Sequence, residues 1–323
     1  MKRGMMIWLI VAASLVVVGA LLFVGALMMV RFDFKMFSGV KYDTNSYEFE
    51  EAIGDITVHT NTAHVRILPS DDSVVRVVCK EEDRLQHTVT VEDGTLFIRL
   101  VDTRRWYNYI HLFSFNTDEI TVYLPRGEYG ALTVYVSSGD VEVPAEYSFQ
   151  SVEIKGSTAD VTVGAEVRES LNVELTTGAV KVENTKVGAI SLTTDTGRIQ
   201  MLSVTCEGDA FLNVTTGDTD VRNVTCRNLT SRGTTGDLEL ERVVATEKFS
   251  IERDTGDVEF DRCDAAEIYV ETSTGDVEGT LLSEKTFFAY SDTGYVDVPK
   301  TMGGGRCEVT CSTGHIELSV VGN

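Results

Sequence analysis

The chain of 323 residues carries 50 acidic and 28 basic side chains, a formal net charge of −22, with 27 glycines and 4 prolines. Such a surface repels nucleic acid and like-charged polymers and attracts cations or basic partners, which argues against nucleic acid as a ligand. The scarcity of proline also excludes a low-complexity, disordered chain.

Residues 5–30 hold no charge; Lys2 and Arg3 precede them, and Arg31 and Lys35 follow. A bilayer core takes about 20 apolar residues, so residues 1–35 are expected to form one transmembrane helix with basic flanks. A cleaved signal peptide is the alternative, with Val18-Gly19-Ala20 or Val24-Gly25-Ala26 as its small-residue site. A short basic N-terminus stays inside, so the expectation is a single-pass cell-membrane protein whose C-terminal domain is extracytoplasmic. Residues 36–46 read as a short tether that keeps this domain near the membrane.

Residues 47–135 read as an irregular β cap with the first coils. Ile53-Gly54-Asp55-Ile56-Thr57-Val58 matches the later repeat once, and Asp93-Gly94 lies between two strand-like runs as a tight turn. Within the cap, Arg104, Arg105, Trp106, Tyr107, Tyr109, Phe113 and Phe115 form the most aromatic stretch outside the anchor. Its plain reading is a hairpin or flap over the open end of the core. The sharper one is a patch that enters the lipid interface or grips a partner, since Trp and Tyr favour that boundary.

From residue 136 to residue 323 one phrase recurs. Its pivots are Gly139, Ala159, Gly178, Gly197, Gly217, Gly236, Gly256, Gly275, Gly294 and Gly314, each 19 or 20 residues after the last. A fixed period in that range marks a solenoid, in which one repeat cannot bury its apolar face alone. The second and fourth residues after the pivot are apolar, as in Val180/Val182, Leu238/Leu240, Val258/Phe260 and Val296/Val298. The same alternation occupies the seventh and fifth residues before it, as in Leu171/Val173, Phe249/Ile251 and Cys307/Val309. Period two means strands, so each coil has two strands meeting at a Thr-Gly corner where glycine supplies positive φ. A third inward position, seven after the pivot, holds Val204, Val224, Val243, Cys263 and Leu282. The predicted fold is all-β: a parallel, right-handed β-solenoid of about ten coils, on the order of 50 Å long at the strand spacing of ~4.8 Å.

The run Ile120 to Pro125, then Leu132 to Val136, then Ser138-Gly139-Asp140-Val141 and further Thr-Gly-Asp turns behind one N-terminal span resembles the bacterial putative adhesin family. That resemblance covers roughly residues 45–320. It implies a β-solenoid, and it implies kinship with accessory proteins of cell-envelope stress operons. Ala159 departs from the pivot glycine, while Ala179, Arg198, Tyr295 and His315 interrupt the aspartate that follows the pivot.

Catalytic chemistry finds no motif. None of His59, His64, His87, His111 and His315 shares a pattern with a nucleophile, and no G-x-S-x-G, H-E-x-x-H, P-loop or C-x-x-C occurs. The six cysteines fall mostly in apolar columns and read as small buried hydrophobes. No catalytic residue and no cofactor is expected. What does repeat is acidic. Asp218, Asp237, Asp257 and Asp276 stand one residue after the pivot, and Asp220, Glu239, Glu259, Glu278, Asp297 and Glu317 stand three after it. Both positions have outward parity, so two carboxylate columns are expected side by side, with Arg222, Arg242, Arg262 and Lys300 close by. The aspartates suit turn-backbone bonding, but the second column has no such use. The two columns together are the candidate face for divalent cations or a cationic partner. The chain stops nine residues after the last pivot, so an uncovered edge at Glu317 to Val321 suggests end-to-end self-association. The leading expectation is a non-enzymatic, membrane-anchored adhesin-like module or envelope scaffold; the alternative is a polysaccharide-active enzyme on the same scaffold.

Overall fold

A computed structural model describes residues 42–82, 85–103 and 118–321, with helical positions 12, 14–19, 21, 24 and 25 near the start. No helix among the described residues is long and apolar enough to cross a membrane. Most of the expected anchor lies outside them, as does the aromatic patch from Arg104 to Phe115.

The repeats form a parallel β-solenoid of about ten turns. Its inward columns are those the alternation predicts: Val180, Val182, Leu238, Leu240, Val258 and Phe260 are all buried, and so are Leu171, Val173, Phe249 and Ile251. In-register pairing stacks like on like, for example Leu238 on Val258 and Phe249 on Ile268. The core is therefore one continuous apolar column, in which each coil covers its neighbour.

The corner has two reasons to be glycine. Gly236 has φ 126° and Gly256 φ 139°, a region costly for residues with a Cβ. In addition, a Cβ on Gly256 would run into the carbonyl of Gly236 in the coil beneath. The pivot amide closes the stack by donating to the Thr carbonyl of the next coil, as in Gly217 N to Thr235 O at 2.8 Å.

A second corner lies six residues after the pivot. There Asn184, Ser203, Asn223, Arg242 and Arg262 all adopt φ of 52–56°. This bend turns the third inward position into the core, where Val204, Val224, Val243 and Cys263 are buried. Leu282 is not: it is 44 % exposed, and Leu281 takes the site opposite Cys263. Gly279, at φ 135° over the Phe260 backbone, shortens that coil and shifts its register.

The largest departure from a simple stack is its order. Strand Val258–Thr274 pairs with Gly305–Thr313, and not with Lys285–Thr293, which lies one layer further out. Likewise Ile316–Val320 pairs with Val277–Leu281 on one side and Val296–Asp297 on the other. The Gly314 coil is thus inserted between the Gly275 and Gly294 coils. Hence Ile316, Leu318 and Val320 are buried, and the expected open edge at Glu317 to Val321 is an interior layer. The exposed end is the Gly294 coil. Val296 there is 41 % exposed and Val298 half-buried, because nothing among the described residues covers them.

The other end has the same inversion. Asp55–Thr60 and His64–Pro69 lie against Glu128–Ser138 and Val141–Val143, while Thr95–Asp102 and Glu119–Leu124 pack outside them. In this coil Ile56 pairs with Leu132, which makes Ala63 the corner, so the match of Ile53 to Val58 with the repeat is out of phase. Antiparallel strands finish the cap: Val75–Glu82 joins Glu119–Leu124 to Tyr42–Phe49, and Leu85–Glu92 joins Thr95–Asp102. The expected tether is therefore part strand from Tyr42 onward, and residue 135 falls inside a strand and not at a boundary.

Candidate binding face

The aspartate after the pivot bonds the next coil, not its own turn. Asp237 Oδ1 accepts the Asp257 amide at 2.9 Å, Asp257 Oδ1 the Asp276 amide at 2.8 Å, and Asp276 Oδ1 the His315 amide at 2.7 Å. Asp140 and Asp160 begin the same ladder. Histidine serves the same purpose near both ends: His64 Nδ1 accepts from Asp140 N at 3.0 Å, and His315 Nδ1 from Tyr295 N at 3.1 Å. The ladder lapses where Ala179 offers no acceptor. This column satisfies corner amides that the strand bonding leaves free.

The outer column is different. Asp220, Glu239, Glu259, Glu278, Glu317 and Asp297 follow one another in register up the rod, and Glu239, Glu259, Glu278, Glu317 and Asp297 are exposed. Their carboxylates accept no backbone amide among the described residues. Arg222 neutralises only the lower part, bonding Asp220 at 2.7 Å and Glu239 at 3.3 Å. Arg242 and Arg262 turn instead to Glu241 and Asp261 in a neighbouring column. Glu259, Glu278, Asp297 and Glu317 have no ion pair among the described residues; Glu317 accepts only the Tyr295 hydroxyl, at 2.9 Å. Like charges one strand spacing apart repel by about 1 kcal/mol in water, and nothing among the described residues relieves that repulsion here.

Behind this face lies a group that no pattern revealed. Arg253 is 2 % exposed, inside the solenoid and three residues before the Gly256 corner. Its Nη2 donates to Ser231 Oγ at 2.9 Å and Thr219 Oγ1 at 3.2 Å, while Nε and Nη1 have no partner among the described residues. The guanidinium fills the space left by the missing side chain of Gly233. Burial pushes its pKa down to about 10, against the pull of the Asp237 and Asp218 charges. The one sign in the sequence is an Arg at a position where neighbouring coils carry Thr194, Val214 and Thr272.

The cysteines behave as expected for small hydrophobes: all six are free and buried, and Cys206 and Cys226 follow Val187 up one column toward Ala245. Burial raises the thiol of Cys226 to about 12.

Comparison with known proteins fixes the kinship. No curated protein matches the chain. Among solved structures, a putative adhesin from Parabacteroides merdae aligns with TM-score 0.51 at 13% identity, covering 75% of this chain and 97% of that one. A putative adhesin from Parabacteroides distasonis aligns at 0.43, with 14% identity and coverage of 84% and 97%. A putative lipid binding protein from the same species aligns at 0.41, with 13% identity and coverage of 86% and 97%. The first shares the fold with this chain, and at such identity the likeness carries no further than fold. The family model described as Toastrack DUF4097 matches residues 53–222 and 211–323, spanning both cap strands and solenoid, and the chain accordingly belongs to that family.

Proposed function

We propose that the chain is a non-enzymatic, adhesin-like binding module of the cell envelope, anchored by its apolar N-terminal segment, with the outer acidic column as its ligand face. The observation that carries this reading is the division of labour between the two columns. The inner aspartates are consumed by backbone amides, whereas Glu259, Glu278, Glu317 and Asp297 have neither amide nor cation among the described residues. A rigid row of carboxylates at strand spacing suits a basic segment of a partner, either directly or bridged by divalent cations, and such a contact weakens with salt. That proteins of this fold are described as putative adhesins accords with it.

The test is binding of an oligolysine peptide to the immobilised chain, with an oligoglutamate peptide as control. Saturable, salt-sensitive binding that is lost in Glu239→Gln/Glu259→Gln/Glu278→Gln/Glu317→Gln supports the reading. Undiminished binding in that variant refutes it. Turnover of a wall glycan by the purified chain would favour an enzyme instead. Fractionation with membranes tests the anchor; a soluble form beginning near Leu21 or Leu27 would reject it.

The Gly294 coil supplies a second contact surface. Phe288, Tyr290, Tyr295 and Val296 are exposed on the outer layer, whose strands Lys285–Thr293 and Val296–Asp297 are paired on one side only among the described residues, which is a template for strand addition. End-to-end self-association there predicts a concentration-dependent dimer in sedimentation that Phe288→Lys with Tyr290→Lys disrupts. A dimer unaffected by the pair of changes would place the contact elsewhere.

A further inference from the structure

The cap buries a cluster that neither the coil repeat nor the acidic face explains. Cys79 and Glu81 project inward from strand Val75–Glu82, and His87 projects inward from Leu85–Glu92; Cys79 and Glu81 are fully buried, and His87 is 3 % exposed. One ligand atom from each side chain falls within 4.8 Å of the others. His87 Nδ1 is 2.7 Å from Glu81 Oε2, and Asn45 Nδ2 donates to Glu81 Oε1 at 2.7 Å. On the far side of the ring, His87 Nε2 is 3.0 Å from Thr60 Oγ1. The Tyr47 hydroxyl donates to the His87 carbonyl at 3.1 Å and closes the cluster from strand Tyr42–Phe49.

We infer that Cys79, Glu81 and His87 form a zinc-class metal site, with His87 Nδ1, one Glu81 oxygen and Cys79 Sγ as its protein ligands. The ligand chemistry selects the metal: thiolate, imidazole and carboxylate together suit a borderline-soft tetrahedral ion and not calcium or magnesium, which take oxygen ligands. The surroundings are those a metal-bound histidine needs. With Nδ1 on the ion, Nε2–H donates to Thr60 Oγ1, which fixes the tautomer, and Asn45 orients the carboxylate. Glu81 Oε2 also accepts the His87 amide at 2.7 Å, which holds the carboxylate against the ring. Cys79 ligates as the thiolate, so loading the site expels its proton. The site also lies where support is needed. It ties three cap strands, Tyr42–Phe49, Val75–Glu82 and Leu85–Glu92, to the first corner through Thr60, at the end where parallel stacking gives way to antiparallel pairing.

Cobalt(II) is the probe, because only a thiolate ligand gives it an intense near-ultraviolet charge-transfer band; carboxylates of the acidic columns cannot. Titration of the metal-free full chain should develop that band to one equivalent with visible bands of tetrahedral intensity, should release protons, and should be reversed by zinc. Cys79→Ser should abolish the charge-transfer band while Cys226→Ser, a buried cysteine of the solenoid core, leaves it intact. Thr60→Val should weaken zinc by about tenfold or more. Absence of the band in the wild-type chain overturns the assignment without recourse to any variant, and so does a band that survives Cys79→Ser. A wild-type thermal midpoint that is the same with equimolar zinc as with chelator also overturns it.

Discussion

Replacing Arg253 by methionine together with Ser231→Ala and Thr219→Val should make the rod more stable. The guanidinium is buried with Nε and Nη1 unpartnered, and its two hydrogen bonds, to Ser231 and Thr219, both come from Nη2. The fall of its pKa to about 10 corresponds to a penalty of about 3 kcal/mol on the charged form. Because the folded value lies below the unfolded one, the unfolded chain holds the proton more tightly between the two. The penalty is therefore complete at neutral pH and is relieved only as pH rises through about 10. Methionine removes the charge and can follow the same path over Gly233, and alanine at 231 with valine at 219 leaves no buried hydroxyl without a partner, so that the net loss of the two bonds is about 1 kcal/mol or somewhat more together. The balance for the triple change is a gain of about 1–2 kcal/mol, in the direction seen when buried ions and their partners give way to hydrophobes. Thermal unfolding by circular dichroism should show a midpoint a few degrees higher at pH 7. A double-mutant cycle sharpens the test. Asp218→Asn with Asp237→Asn should destabilise the wild-type chain more than the triple variant, because in the wild type those carboxylates offset a buried charge that the variant lacks. A midpoint that falls in the triple variant, with no coupling to Asp218 and Asp237, would refute the reasoning.

Three further outcomes can be checked. Phe260→Asp should unfold the neighbouring coils, at a cost of at least about 3–5 kcal/mol, whereas Glu259→Lys should be tolerated; equal effects in chemical denaturation would reject the register. Asp257→Ala should cost about 1 kcal/mol by leaving the Asp276 amide unbonded, and Asp257→Asn much less, since its carbonyl still accepts; equal losses would mean that charge and not the ladder matters. Native chain treated with iodoacetamide at pH 8 should leave Cys226 and Cys307, whose thiols burial raises to about 12, unlabelled until denaturant is added; labelling under native conditions would contradict their burial.

What the sequence makes legible follows from periodicity. Val258, Phe260, Phe249 and Ile251 announce their burial because a strand has only two faces and the coil repeats the choice. The Asp column is legible as well, but its bonding partner is not, since a local turn and the adjacent coil offer equivalent amides. The second corner escapes notice because Arg242 and Arg262 sit in a left-handed conformation that their type disfavours; Asn184 and Asn223 in the same column are the available hint. The cluster of Cys79, Glu81 and His87 is invisible for another reason. Cys79 and Glu81 are neighbours on one strand, but His87 reaches them only because two antiparallel strands fold over the first coil, and no repeat relates those positions. The interchange of the Gly294 and Gly314 coils is likewise hidden, as both satisfy the motif.

That interchange makes the order of synthesis differ from the order of stacking. Residues 285–297 leave the ribosome before 305–320, although it is the later segment that belongs on the Gly275 coil. During that interval the earlier segment meets a vacant edge matching its own pattern, so a wrongly seated layer is a natural kinetic competitor. Once the later segment has slipped between, the outer layer is held by a strand that it preceded, and its native seat exists only while that strand is in place. Deleting residues 305–320 should therefore leave 285–297 only the Gly275 edge, so that the competitor becomes the end of the rod.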